Sequence, residues 1–392
     1  MWTHLEDNKK AKILMWTSTV PFKDNHELAY REHVSGTGDW IFRNSSYISW
    51  YRGSSGQILW IHGNVGAGKT KLVAHVIASF LKGPLQVDEA LAFFYCNRNE
   101  DARRNVASVL RSFVKQLSIS SNNTYLHGAL AEIYAEKHRS GFSSAELSNE
   151  EADTLLRLIM QSYKTVTFII DALDECDKSS RAVLIERLNS LVHNIPNLRI
   201  LISSRWDAEI ERKLSESKAV LEVNTTKNQD DIKKFVLARL DEDAADRARP
   251  LSDQLRSNIV ETLFQKSDGM QWASLQISQL LELERERDIR SSLGSLPQGL
   301  AATYDEIYTR LQCQKGSKPI VARRTLQWIF SSHIPLTSDH MLAAVCQGFD
   351  DQEPQQVDVT VDFVLSSCSN LVVLDQTNVF RLSHLSVREY FE

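Results

Sequence analysis

The sequence has no surplus of positive charge: over 392 residues, 45 lysines and arginines face 50 aspartates and glutamates, a formal charge of −5. A protein that neutralises a run of nucleic-acid phosphates carries a basic excess, so nucleic acid is not an expected partner. Cysteine is scarce and scattered. The five, Cys96, Cys176, Cys313, Cys346 and Cys368, form no Cys-x-x-Cys pair and have no histidines at metal-ligand spacing. That excludes a disulfide scaffold or a structural zinc site and suits reduced, mostly buried thiols in an intracellular compartment. Long apolar runs are absent too: none approaches the ~18 residues that a membrane span needs. The Leu14-Met15-Trp16 run is too short for the core of a signal peptide. The expected location is cytoplasmic, without a membrane partner, and the sequons at Asn44, Asn122 and Asn224 are expected to stay unmodified.

What is present is an ordinary globular composition, 42% apolar and 24% charged, in a chain long enough for two or three cores. Five short apolar runs, Gln57–His62, Leu91–Cys96, Thr165–Asp171, Leu198–Ser203 and Ala219–Val223, alternate with longer helical patterns. Each is too continuously apolar to have a wet face, which predicts an α/β fold with a parallel sheet covered by helices on both sides. Arg103–Leu117 has Val106, Val109, Leu110, Phe113, Val114 and Leu117 at helical spacing. Beyond Val223 the strand pattern stops. Asp230–Leu240, Asp253–Gln265 and Trp272–Leu283 read as amphipathic helices, joined by polar segments such as Asp241–Pro250. Past Lys315, helical Val321–Phe330, Ser338–Cys346 and Val361–Ser366 precede two β-like runs, Leu371–Leu374 and Val379–Leu382, and an amphipathic stretch from Ser383. Helices followed by a small hairpin suggest a winged helix. The expected division is a lead-in over 1–50, the α/β domain over 51–225, a helical domain over 226–314 and a winged-helix domain over 315–392. Because the chain stops at Glu392 within a helical pattern, a fragment of a longer protein is expected.

Three stretches carry chemistry. Directly after the first apolar run, "GNVGAGKTK" fits Gly-x-x-x-x-Gly-Lys-Thr: Gly63, Asn64, Val65, Gly66, Ala67, Gly68, Lys69, Thr70 and Lys71. In such a loop backbone N–H groups cradle phosphates, Lys69 reaches the β and γ phosphates, and Thr70 lends its hydroxyl to Mg²⁺. The run "TVTFIIDALDEC" ends four apolar residues in Asp171, with Asp174 and Glu175 close behind. A carboxylate at a buried strand end is costly unless it serves a cation; Asp171 is expected to hold Mg²⁺, and Asp174 or Glu175 to orient an attacking water. "LRILISSRW" brings Arg205 to a strand's carboxyl end, where it is expected to sense a γ-phosphate. The acidic cluster also suits a helix N-terminus, and Arg205 a surface ion pair. Among Trp40, Trp50 and Tyr51, one aromatic is a candidate to stack on adenine, against the commoner core role. Arg103 and Arg104 fit a solvated helix face better than a phosphate contact.

"GNVGAGKT", "FIIDALDEC" and "LISSR" resemble the Walker A, Walker B and sensor motifs of the NACHT group of STAND NTPases, switch proteins that include NOD-like receptors. "GTGDW", "FFYCNRNEDARRN", "SDGMQWASLQI", "LPQGLAATYDEIY" and "RLSHLSVREYF" are similar to fungal NACHT proteins that often carry ankyrin or WD repeats. The resemblance runs from about Ser18 to Phe391. It implies an ASCE/AAA-like P-loop NTPase core, a helical domain and a winged-helix domain, with ATP or ADP and Mg²⁺ as cofactors. It implies too that His384 of "RLSHLSV" contacts the β-phosphate of ADP in a closed state. The implied function is a signalling switch in innate immunity or non-self recognition, closed with ADP, opening and forming homo-oligomers with ATP, and reset by slow hydrolysis. Effector and C-terminal repeat domains are the implied missing parts. The chain departs from the family at Gly269-Met270-Gln271-Trp272-Ala273, one residue shorter than the usual motif, and at Ala172, where many animal relatives have glycine. Two other classes remain open: an AAA+ ATPase remodelling protein or nucleic acid, and a scaffold with a vestigial site, which the intact Thr70, Asp171 and Glu175 disfavour.

Overall fold

A computed structural model describes residues 2–31, 33–53, 57–82, 88–119, 125–139, 146–214, 218–246, 250–332, 334–347, 359–375 and 378–392. The sequon at Asn122 lies outside them. The chain forms two compact units, Met1–Asp231 and Ile232–Glu392.

The described strands are β1 (Trp2–His4), β2 (Gln57–Gly63), β3 (Glu89–Tyr95), β4 (Tyr125–His127), β5 (Thr165–Asp171), β6 (Leu198–Ser204), β7 (Ala219–Val223), β8 (Val372–Leu374) and β9 (Phe380–Leu382). In the first unit, five of them make a sheet in the order β3-β5-β6-β2-β7. All its pairings are parallel, as the five continuous apolar runs predict. The register brings Tyr95 beside Asp171 and Ser204 beside His62. The strands' carboxyl ends are thus level, which places the loops that follow them along one edge.

Alternation along the strands sorts the buried side chains onto two faces. Ile58, Trp60, Phe94, Phe168, Ile170, Ile200 and Ile202 join one core with residues of the Val106–Leu117, Asn149–Met160 and Lys178–Asn194 helices. Leu59, Ile61, Phe93, Ile169, Leu201 and Val223 join the other with the Lys69–Lys82 helix. Residues 1–50 are no separate lead-in: Ile13 and Val20 enter the first core, and Ile41, Tyr47 and Trp50 the second.

The helix expected from Arg103 starts at Val106, where Asn105 caps it by accepting from the Ser108 N–H. Residues 101–103 form a separate turn. Arg103 is no solvated helix residue either: it donates to the Tyr95 carbonyl and pairs with Glu100.

The border between the units falls inside a helix. Thr225–Asp246 is continuous, so part of the polar segment expected from Asp241 is helical, and the border lies at residue 231 instead of 225. In the second unit, helices from Ile232 to Leu293 share one hydrophobic core. A second core joins Tyr304, Ile307, Val321, Met341 and Val364 to the antiparallel β8–β9 hairpin and Val387 of the Leu385–Phe391 helix. The five cysteines are free thiols; Cys96, Cys176 and Cys368 are buried, and Cys313 is exposed. Among the described residues, no helix is long and apolar enough to cross a membrane.

Candidate nucleotide-binding site

β2 ends at Gly63 and the next helix begins at Lys69, so residues 64–68 must reverse the chain in one tight loop. Gly66 and Gly68 make this possible with φ of +73° and +89°, a region closed to most side chains. The loop leads into a helix N-terminus, whose free N–H groups and dipole favour an anion. Lys69 folds back over the loop, its Nζ donating to the carbonyls of Gly63 and Asn64, each at 2.8 Å. Burial holds its pKa below the ordinary lysine range, against the pull of Asp174, Asp171 and Glu175. Lys71 points elsewhere and donates to the Arg31 carbonyl at 2.6 Å.

The carboxylates come from the strand ends opposite. Asp171, at the end of β5, is 2% exposed. The hydroxyls of Ser203 and Thr70 both bond to it. Burial raises its pKa, while those two bonds and Lys69 lower it. Ser203 Oγ also accepts from the Ala172 N–H at 3.0 Å, so it fixes the backbone that aims Asp171. The sequence marked "LISSR" only as a strand end; a serine at an inward position of a buried strand was the available signal for this role. Asp174 accepts from the Arg205 N–H at 3.0 Å and lies 3.4 Å from Arg205 Nε. Glu175 accepts from the Arg98 N–H at 3.3 Å. Asp174, Glu175, Arg98 and Arg205 line an open cavity of about 410 Å³ with Arg181 and Trp206. Arg181, 4% exposed, pairs with Asp207 and Glu209, a contact between distant segments that no motif announces.

The structure thus brings Lys69, Thr70, Asp171, Asp174, Glu175 and Arg205 of the expected set together. His384 belongs to the second unit, where it caps the Leu385–Phe391 helix. Its Nδ1 accepts from the Ser386 N–H at 3.1 Å, which leaves Nε2 to carry the proton of the neutral ring. Ser386 Oγ lies 2.6 Å from Nδ1 and 2.7 Å from the Tyr304 hydroxyl. Of the candidate adenine platforms, Trp50 is wholly buried in the core and Tyr51 lies under the Arg199 guanidinium, 4.4 Å from its ring centroid. Trp40 donates its Nε1–H to Asp231 at 3.0 Å.

Ala172 has φ +54° and ψ +48°, the left-handed region in which glycine carries no steric penalty. The departure from glycine at this position is therefore a strained one. Ala172→Gly is expected to stabilise the protein by about 0.5–1 kcal/mol, part of the relieved strain being lost to the freer unfolded chain. Denaturant midpoints for the pair check this, and a loss of stability would contradict it.

Burial and then the neighbouring Asp174 push the Glu175 carboxyl up from its ordinary 4.5 to about 7. A raised acid binds its proton more tightly in the folded state. Its contribution is full below pH 4.5 and is lost as the pH rises through about 7. In nucleotide-free protein, Glu175→Gln is expected to remove this decline and add about 2–3 kcal/mol at pH 8. Unfolding curves taken at intervals from pH 4.5 to 8 measure it; parallel profiles for the two proteins would refute the expectation.

The description "Nephrocystin 3, N-terminal" belongs to the family model that matches residues 36–205, from the glycine of "GTGDW" to the arginine of "LISSR". A curated relative, the vegetative incompatibility protein HET-E-1 of Podospora anserina, is 23% identical over 365 residues, 90% of this chain. Both matches support the resemblance to NACHT-type STAND NTPases. It spans a quarter (25%) of that relative's length. Among solved structures it is similar to the Walker-type ATPase PABY2304 of Pyrococcus abyssi, with 11% identity, coverage of 96% and 99% of the two chains and a TM-score of 0.42. The ORC1 protein of Aeropyrum pernix, solved in complex with DNA, gives 11% identity, 93% and 95% coverage and a TM-score of 0.44. Both superpositions are loose. The P-loop NTPase fold of this chain is read from its own sheet, with the loop after β2 facing the carboxylates after β5.

Proposed function

We propose that this NACHT module is a nucleotide-dependent signalling switch, closed with ADP, opening and oligomerising with ATP, with slow hydrolysis as its reset. The observation that carries the reading is the hydrogen bond of Thr70, at the start of the helix that follows the loop after β2, to the buried Asp171 at the end of β5, whose charge the nearby Lys69 offsets. The N–H groups of residues 63–71 would hold the phosphates with Lys69. Thr70 and Asp171 offer the paired oxygen donors that suit Mg²⁺, whose remaining ligands in such sites are water and phosphate. When bound, the cation neutralises phosphate charge and polarises the bond to be cleaved. Glu175, kept partly protonated near neutral pH, would orient water and take up its proton, with Asp174 the alternative base. Arg205 would report the γ-phosphate, at the cost of loosening its contact with Asp174.

For His384, whose Nδ1 caps the Leu385–Phe391 helix, we propose the β-phosphate contact of the closed state. One charge-assisted hydrogen bond contributes about 1.5–3 kcal/mol, whereas moving a switch from 1:99 to 99:1 takes about 5.5. Packing must therefore supply most of the difference. The helical and winged-helix divisions belong to the same proposal; helices leading to the β8–β9 hairpin and the Leu385–Phe391 helix support the latter. A relative named for vegetative incompatibility supports non-self recognition as the setting; a cytoplasmic location and effector and repeat domains in a longer protein belong to the same proposal. The nucleotide released on denaturing purified protein, identified by chromatography, is expected to be ADP. Scattering with Mg·ADP and with a non-hydrolysable ATP analogue is expected to give two forms; one identical form in both would sink the switch.

A further inference from the structure

"GTGDW" has no part in the phosphate site described above, yet its turn touches two helices at once. Gly38 has φ +79°, and a Cβ there would lie 3.1 Å from His75 and 3.3 Å from Leu72, both on the helix that the P-loop opens. Next to it, the Asp39 carboxylate is 2.9 Å from His75 Nε2. On its other side the turn holds Asp231: the Gly38 N–H and the Trp40 Nε1–H both donate to one oxygen, Oδ2, at 2.9 and 3.0 Å. Asp231 is 7% exposed. A carboxylate at that depth is costly without partners, so the two donors fix it tightly in place.

Asp231 is the last residue of the first unit, on the Thr225–Asp246 helix that continues into the second. Its neighbour Ile232 is wholly buried in the second unit's core. Consecutive residues of one helix are thus committed to different structures: one to the turn against the P-loop helix, the next to the core beyond.

We propose that the contacts of Gly38, Asp39 and Trp40 act as a relay, in which Asp39, Trp40 and Asp231 are positioning residues that pass a shift of the P-loop helix to the connecting helix. The relay rests on the nucleotide reading above. A rigid helix transmits a displacement of its first turns along its length, and the turn has polar contacts with both helices. Trp40→Phe removes one donor while keeping the ring. Asp231→Asn removes the charge from the acceptor, and Asp39→Asn weakens the contact at the other end.

Hydrogen exchange of the whole chain, with and without Mg·ADP, tests it, together with ADP affinity by calorimetry. In the parent, ADP is expected to slow exchange at 232–245 at least threefold. In each variant ADP affinity is expected to stay within threefold of the parent while that slowing is lost. Faster exchange at 232–245 in every state, with the ADP-dependent difference retained, would mean a merely structural contact and overturn the relay. So would a parent that binds ADP with no change at 232–245. A parent that binds no ADP would instead remove the nucleotide reading, and the relay with it.

Discussion

Lys69→Ala is expected to weaken binding of both ATP and ADP at least 100-fold, about 2.7 kcal/mol. Hydrogen bonds to charged groups contribute about 1.5–3 kcal/mol each, and an ammonium between two phosphates makes more than one. Part of that gain is offset, because Lys69 already donates to the Gly63 and Asn64 carbonyls at 2.8 Å and must trade them for the ligand. The trade is favourable for a second reason. Lys69 is the cation that offsets the buried Asp171, and burial penalises its own charge, so an anionic ligand joined by Mg²⁺ restores balance on both sides. Titration calorimetry with ADP and with a non-hydrolysable ATP analogue measures the loss. Parent-like affinity in the variant would remove Lys69, and with it the P-loop assignment, from the proposed function.

How legible this was depended on whether an element answers to its own sequence or to a distant one. Four of the five sheet strands are buried on both faces, so each shows as a continuous apolar run. β7, at the edge, instead exposes Val220 and Glu222 and corrects the expectation that no strand has a wet face, while the ends of all five were found within two residues. The loop after β2 was legible because its glycines serve local backbone geometry. The Asp7–Thr17 helix was missed since its buried positions, Lys10, Ile13 and Thr17, present only one apolar side chain. The helix past Asp241 was missed because "DEDAAD" is polar almost all round. Ser203 beside Asp171, Arg181 beside Asp207, and Trp40 on Asp231 join segments far apart in the chain. Only the sheet order and the folding back of the N-terminal residues bring them together, and neither is written in local periodicity.

Gly63→Ala is expected to lower stability by about 2–4 kcal/mol, through crowding of the sheet instead of loss of a ligand contact. A Cβ at Gly63 would stand 2.2 Å from the Val223 carbonyl oxygen and 3.2 Å from its carbon. The obstacle is backbone, which cannot rotate away as a side chain would. Something must move, and the sheet order says which strand yields. β2 is held between β6 and β7, while β7 is at the edge with β2 as its one neighbour in the sheet. Gly63 and Val223 are the last pair of their ladder, so β7 should peel away from its carboxyl end. The disturbance then falls on Asn224 and the start of the Thr225–Asp246 helix, the route that the relay requires. Gly294→Ala is the matched control: a Cβ there meets nothing within 4 Å, and its effect should stay within about 0.5 kcal/mol. Thermal and denaturant unfolding of both variants measures the contrast, and exchange at 219–224 locates it. Equal stability of the two would mean that the close approach of β2 and β7 is not what demands glycine at position 63.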